Sequence, residues 1–235
     1  MVRIGNFLFH YRNGLFPVAF ILLLWKGRPI FESDLVAAGV GFGVAMLGQS
    51  LRAVTIGLAY IIRGGKKRQV YAEDLVTGGL FAHCRNPLYD GNILILAGVG
   101  LAANSLIFLA VGMPLFLFAY RAIVAAEENF LRQKFGQQFD DYCARVNRFV
   151  PNLSGIGETL RSMEFNWQRL IVKEYGTTFA WTAGLLVLVM KNLWLSGHYT
   201  LNSPLILGLA ASLGLVVIAY TAARYLKKSR ILQAG

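Results

Sequence analysis

The chain has 235 residues, of which 56% are hydrophobic and 15% charged, with a mean hydropathy of +0.52, which excludes an ordinary soluble globular protein. Its formal charge of +11 comes without a long basic run or a nucleic-acid-reading motif. Nucleic acid is therefore not the expected partner; the basic residues lie between apolar segments and suit an anionic membrane face.

In chain order, Arg3 and Arg12 precede an apolar run over 15–25. Lys26-Gly27-Arg28-Pro29 follows where a signal peptide would have a small-residue cleavage site, so this is read as an uncleaved first span. The run 35–62 is longer than one crossing needs, and its second half, with Arg52, is expected in the cytoplasmic interface. Gly39 and Gly43, four apart, offer a face for close helix approach. Arg63-Gly64-Gly65-Lys66-Lys67-Arg68 forms a basic loop.

Residues 88–122 are mostly apolar and interrupted at Asn104-Ser105. Two short helices turning there keep Arg85 and Arg121 on one side, so a hairpin is expected, with Pro114 kinking its second arm. Residues 127–150 alternate charged and aromatic side chains, as a surface helix broken near Gly136 would. A connector after Pro151 leads to an interfacial stretch over 163–171 and to spans near 179–195 and 205–225.

The fold class is thus all-α, a multi-pass transmembrane bundle of about six spans including the short hairpin. Its parts are N-terminal transmembrane helices (1–70), a core of hairpin plus cytoplasmic helix (71–151), and a connector with two C-terminal spans (152–235). With both termini cytoplasmic, 19 of the 23 Lys and Arg residues fall on the cytoplasmic side. A bacterial inner membrane is the expected location. Cys84 and Cys143 then lie in a reducing compartment, so no disulfide is expected, and the absence of a Cys/His cluster argues against a structural metal.

This topology brings the two ends of the hairpin together at the cytoplasmic face. Arg85, Asn86, Pro87, Tyr89 and Gly91 enter its first arm; Glu127 and Glu128 leave its second. Charge converging beside an apolar wall is costly and usually functional. Asn86-Pro87 sets the chain direction, and the amides of Leu88, Tyr89 and Asp90 at the new helix start are expected to help Arg85 hold an anion. Adjacent helical residues face apart, so one of Glu127 and Glu128 is expected to reach the pocket, with Glu128 favoured.

The residues Gly79-x-Phe81-x-x-x-Arg85-Asn86-Pro87-x-Tyr89-x-Gly91, then Glu127-Glu128-x-x-Leu131-x-x-x-Phe135-Gly136-x-x-Phe139-x-x-Tyr142-x-x-x-Val146-x-x-Phe149-x-Pro151, resemble the isoprenylcysteine carboxyl methyltransferase and phospholipid methyltransferase superfamily. The resemblance covers about a third of the chain. It implies an integral membrane enzyme that uses S-adenosylmethionine bound on the cytoplasmic side. Asn86 stands where the prenylcysteine enzymes have histidine, and Phe139 where many members have tyrosine; both departures bear on the substrate more than on the cofactor.

Such a cofactor presents a carboxylate, an ammonium, ribose hydroxyls, adenine and a sulfonium. Arg85 suits the carboxylate and Glu127 or Glu128 the ammonium or ribose. Tyr89 and Tyr142 suit adenine or the sulfonium. The expected catalytic residues are Arg85 and Glu128. His83, Asn86, Pro87, Leu88, Tyr89, Gly91, Glu127, Tyr142 and Arg148 join them as expected cofactor contacts. Plainer roles stand beside these: Arg85 as a head-group anchor, His83 and Cys84 as buried structural groups, Tyr142 as packing, and Arg145 or Arg148 as lipid contacts.

The acceptor is expected to be lipophilic or membrane-delivered, a carboxylate, amine or thiol, with membrane lipids as the other partner. Two further readings are a membrane reductase of the sterol-reductase type using NADPH, and a non-catalytic transporter or lipid-binding protein. Gly39-Val40-Gly41-Phe42-Gly43 follows no strand and is not a dinucleotide fingerprint. No internal repeat supports a transporter.

Overall fold

The computed structural model describes residues 1–25, 27–59, 70–197 and 199–232, and among them every regular element is helical. The expected basic loop over 63–68 lies outside the described residues. Helix α1 (Val2–Ala19) passes through Pro17 and tightens into a 3₁₀ turn, Phe20–Leu23, as the missing amide of proline loosens its last α-turn. It begins at Val2 rather than near residue 15, because nothing between Arg3 and Gly14 stops a helix. The helix therefore carries Arg3, His10 and Arg12 as well as part of the expected first span, and it is not among the helices long and apolar enough to cross a membrane.

Ser33 caps α2 (Asp34–Leu58), its side chain accepting the amide of Val36 at 3.4 Å. Pro87 opens α3 (Pro87–Ala102), and after the turn at Asn104 a π-helical segment, Phe108–Gly112, runs straight into α4 (Met113–Phe135). Pro114 thus stands at the start of a regular helix, with the irregular turn absorbed just before it. Gly136 has φ +52° and breaks the path between α4 and α5 (Gln137–Arg145), at the position expected for the break. Then come α6 (Ile156–Ser162), α7 (Trp167–Leu195), capped by Asn166, and α8 (Pro204–Lys228), capped by Ser203.

Four helices are long and apolar enough to cross a membrane, Asp34–Leu58, Phe108–Phe135, Trp167–Leu195 and Pro204–Lys228, and Pro87–Ala102 is a shorter apolar helix. The protein is an integral, multi-pass, all-α membrane protein. Its expected hairpin is present. Asn104 holds the tip: its Oδ1 accepts the amides of Ile30 and Phe31 at 2.8 and 2.9 Å, and its Nδ2 donates to the Phe31 carbonyl and to Asp34, each at 2.9 Å. One buried amide side chain thereby ties the α3–α4 turn to the start of α2.

The tightest helix pair is α2 with α3, and the seam differs from the one expected. Gly39 and Gly43 face open space, whereas Cβ atoms at Gly41, Gly48 and Gly98 would sit within 2.6 Å of backbone atoms of the facing helix. The seam residues Gly41, Ala45, Gly48 and Arg52 meet Gly91, Ile95, Gly98 and Ala102, a small-residue spacing that lets backbones touch. Below it a buried polar network joins α7 to the pair. Arg52 gives Glu174 two charge-assisted bonds, 2.9 Å from Nε and 2.7 Å from Nη2, and donates to the Leu88 carbonyl at 3.2 Å and to Asn92 at 2.5 Å. Gln49 bridges Glu174 and the Trp181 indole. Helix α1 lies on α4, and α8 packs on α7 with only Ile206 buried.

Candidate active site

The two motifs meet through backbone. After a 3₁₀ turn, Gly79–Ala82, residues 83–86 run alongside 147–152: the Arg85 amide donates to the Asn147 carbonyl at 2.8 Å, and the Asn152 amide to the His83 carbonyl at 2.9 Å. Asn86 adds a bond from Nδ2 to the Arg148 carbonyl at 2.9 Å. The stretch after α5 is thus sewn to the stretch before α3, and the side chains of both are directed by the same seam.

On this seam Glu128, buried on α4, lies between two guanidinium groups. Arg148 grips it bidentately, Nε at 3.0 Å and Nη2 at 2.5 Å, and Arg85 Nη2 stands 3.5 Å away. Arg85 is itself almost buried, and its Nε has no hydrogen-bond partner. A buried donor left unmade costs about 1–3 kcal/mol. Glu127 faces a different wall: its Oε1 accepts the Tyr89 hydroxyl at 2.8 Å, while its Oε2 takes no bond from the described residues.

Both glutamates line one cavity of about 950 Å³ with Arg85, Asn86, Leu88, Tyr89 and Tyr142. Both reach the cavity, although their side chains are committed to different partners. Neighbours on a helix are about 100° apart, and the cavity wraps far enough around α4 to meet both.

The remaining sequence candidates have other positions. His83 is held away from the cavity, with Nδ1 against the Asn152 carbonyl and Nε2 against the Thr159 hydroxyl, both at 2.8 Å. A carbonyl only accepts, so Nδ1 carries the proton and the ring ties down 152–159. Pro87 supplies the helix start. Gly91 faces α2, where a Cβ would lie 2.5 Å from Arg52 Cγ, so its smallness serves packing. Arg148 acts on Glu128 rather than on the cavity wall.

Of the three amides expected to bind an anion, those of Tyr89 and Asp90 turn back to the Asn86 carbonyl at 3.0 and 3.1 Å. Asn86 caps its own helix, which leaves Leu88 alone of the three. Tyr142 lines the cavity with its ring but donates its hydroxyl to the Phe81 carbonyl at 2.6 Å, and burial pushes that phenol above its ordinary range. Burial, then the bond to Asp90 at 3.0 Å, likewise raises the Cys84 thiol, so it is no nucleophile. Among the described residues no group of three or more His, Cys, Asp or Glu converges as a metal site would.

Much of the cavity wall lies outside both motifs, including Arg52 of α2 and Asn92, Tyr120 and Ile123 of the hairpin. Helix α1 contributes Phe9, Arg12, Asn13, Phe16, Pro17 and Phe20; residues 70–76 cross it as a strap; Thr177 comes from α7. Lys134, from the end of α4, holds the strap by donating to the carbonyls of Ala72 and Glu73 at 2.5 and 2.8 Å. The strap has no signal in a single sequence. Arg12 was visible only as a charge just ahead of an apolar run.

The family model for phospholipid methyltransferases matches residues 39–138, which run from α2 through the paired glutamates into α5. The nickel-cobalt-cadmium resistance protein NccN of Alcaligenes xylosoxydans xylosoxydans is 30% identical over 155 residues, covering 64% of this chain and 70% of that protein. The cobalt-zinc-cadmium resistance protein CzcN of Cupriavidus metallidurans is 30% identical over 160 residues, covering 64% and 68%. A probable protein-S-isoprenylcysteine O-methyltransferase of rice, Oryza sativa subsp. indica, is 30% identical over 121 residues, covering 48% and 60%. The chain belongs to the isoprenylcysteine and phospholipid methyltransferase superfamily. No solved structure matches it. In this methyltransferase the matched region holds Arg85, Glu127 and Glu128, while Tyr142, Arg148 and the whole of α1 stand outside the family model.

Proposed function

We propose that this membrane methyltransferase takes its methyl group from S-adenosylmethionine and gives it to a lipophilic or membrane-delivered acceptor, a carboxylate, amine or thiol. The observation that carries the reading is the buried, unpartnered Nε of Arg85 beside Glu128 in the cavity wall. That donor, aimed by a carboxylate already neutralised by Arg148, fits the carboxylate of an amino acid. The free Oε2 of Glu127 fits an ammonium or a ribose hydroxyl, and the rings of Tyr89 and Tyr142 fit a base or a cationic sulfur.

When bound, S-adenosylmethionine supplies an electrophilic methyl carbon on a sulfonium. The protein's part is positioning and the exclusion of water. Phe81 and Phe139 are buried in the cavity wall and keep it dry, and the strap over 70–76 covers it. Membrane lipids surround the spans. The basic side of the molecule faces the cytoplasm with both termini, and the membrane is a bacterial inner membrane.

Calorimetry of the detergent-purified protein with S-adenosylhomocysteine and separately with NADPH tests the cofactor. Saturable binding of S-adenosylhomocysteine alone is expected. Binding of NADPH alone would move the protein to reductase chemistry, and binding of neither by folded protein would leave it without catalytic standing.

A further inference from the structure

The Arg52–Glu174 pair belongs to neither motif, yet it reaches the cavity. Arg52 of α2 stands in the cavity wall, while Glu174 of α7 lies behind it, outside the region that the family model matches. Their side chains are 5% and 3% exposed, and a charge pair hidden this deeply carries a desolvation cost that two apolar side chains would not.

The geometry shows what that cost sustains. Glu174 takes Nε and Nη2 of Arg52 at 2.9 and 2.7 Å, a fork that fixes the plane of the guanidinium and leaves Nη1 for α3. Nη1 donates to the Leu88 carbonyl at 3.2 Å and to Asn92 at 2.5 Å, so it grips α3 on either side of Tyr89. Tyr120 on α4 meets the Asn92 side chain and the Arg52 charge, and its ring lies 5.2 Å from that of Tyr89. Tyr89 in turn donates to Glu127 at 2.8 Å. Gly91 belongs to the same arrangement. A Cβ there would lie 2.5 Å from Arg52 Cγ, so glycine at this motif position leaves room for the arginine stem as it passes α3.

We infer that Arg52 is a positioning residue, aimed by Glu174, that sets Tyr89 and Glu127 for the cofactor by gripping the first turns of α3. This rests on the methyl-transfer reading, in which Glu127 meets the ammonium or a ribose hydroxyl. Arg52 acts through Leu88 and Asn92. Glu174 is not in the cavity wall and acts through Arg52.

The test uses the full chain in detergent as wild type, E174Q, the double variant R52M/E174M, and Q49L. Glutamine keeps the length of Glu174 and one acceptor but loses the charged fork. The two methionines replace the pair by apolar side chains of similar reach, an exchange that buried ion pairs often tolerate. Gln49 bonds Glu174 and Trp181 and is not in the cavity wall, so Q49L disturbs the network without removing the grip on α3. Folding is followed by size exclusion and melting temperature, and S-adenosylhomocysteine binding by calorimetry. Each protein is also prepared with 3-fluorotyrosine incorporated at Tyr89, whose fluorine resonance reports the surroundings of that ring without any ligand.

Q49L is expected to melt earlier while keeping wild-type affinity and resonance. E174Q and the double variant are expected to stay folded, to shift the resonance, and to bind S-adenosylhomocysteine at least about tenfold more weakly, as a misplaced contact residue would make them do. Wild-type affinity or an unmoved resonance in the folded double variant would overturn the inference, because the pair would then serve stability alone. So would failure of both E174Q and the double variant to fold, or a loss of binding in Q49L equal to theirs. Where E174Q alone does not fold, the double variant decides. Wild type that binds no S-adenosylhomocysteine sinks the methyl-transfer reading by itself, and the fluorine resonance still tells whether the pair positions Tyr89.

Discussion

Glu128 has both carboxylate oxygens committed to Arg148 and a second cation, Arg85, beside it, so in the proposed reading it positions Arg85. Replacing it by glutamine leaves Arg85 buried with no counter-charge and free to turn away. E128Q is therefore expected to weaken S-adenosylhomocysteine binding at least tenfold, about 1.4 kcal/mol, by calorimetry. R148Q is expected to do less, because the Arg148 side chain is 45% exposed and its pairing is worth less. A larger loss in R148Q than in E128Q would show that Arg148 contacts the cofactor directly.

Cys84 offers a pH-dependent contrast. Its thiol is raised by burial and by Asp90, so it stays protonated as pH rises through the range where free thiols ionise. In folded protein at pH 8.5 iodoacetamide is expected to label Cys143, which is half-buried, well ahead of Cys84, as peptide mass spectrometry would report. Arg85, Asn86 and the two glutamates were legible as chemistry because charge stood beside apolar runs. Their pairings were not: Arg148 reaches Glu128 from 20 residues downstream, across the Gly136 turn, and no local pattern announces that.

Between elements, the α2–α3 seam decides how close the hairpin stands to the rest. The Cβ of G41A would lie 2.3 Å from the Ala102 amide nitrogen, and backbone cannot yield as a side-chain tip can. Overpacking of this kind costs about 1–3 kcal/mol, so G41A is expected to lower the melting temperature in detergent while G43A, in open space, does not. An equal response of the two would mean that the seam is elsewhere. Sequence reading chose Gly39 and Gly43, a face two residues and about 200° away from the true contact, because glycine spacing alone has no phase. The hairpin was legible for a better reason. Asn104-Ser105 interrupts the apolar run, and a turn there keeps Arg85 and Arg121 on one side.

The Arg52–Glu174 pair joins three helices, and a single sequence could not match partners 122 residues apart. E174A strands a buried guanidinium and is expected to cost about 3–5 kcal/mol, seen as loss of folded protein on size exclusion.

Across the whole molecule, the distribution of basic residues is what supports the proposed sides of the membrane. Single cysteines placed at Ser154 and at Leu201 in a background lacking Cys84 and Cys143 are expected to label with a membrane-impermeant maleimide from opposite faces of the bilayer. Labelling of both from one face would mean that α7 does not cross the bilayer. What sequence could not supply at this scale is the role of α1: its arginines read as flanking charges, and only packing against α4 turned its stripe toward the cavity.

The last helix has a mechanical consequence. Because α8 buries only Ile206 and packs chiefly on α7, its hold on the bundle rests mainly on one interface. Under tension applied to its C-terminal end, α8 should leave first and as one event. Its 25 residues would add about 85 Å of extended chain before the tightly seamed remainder yields at higher force.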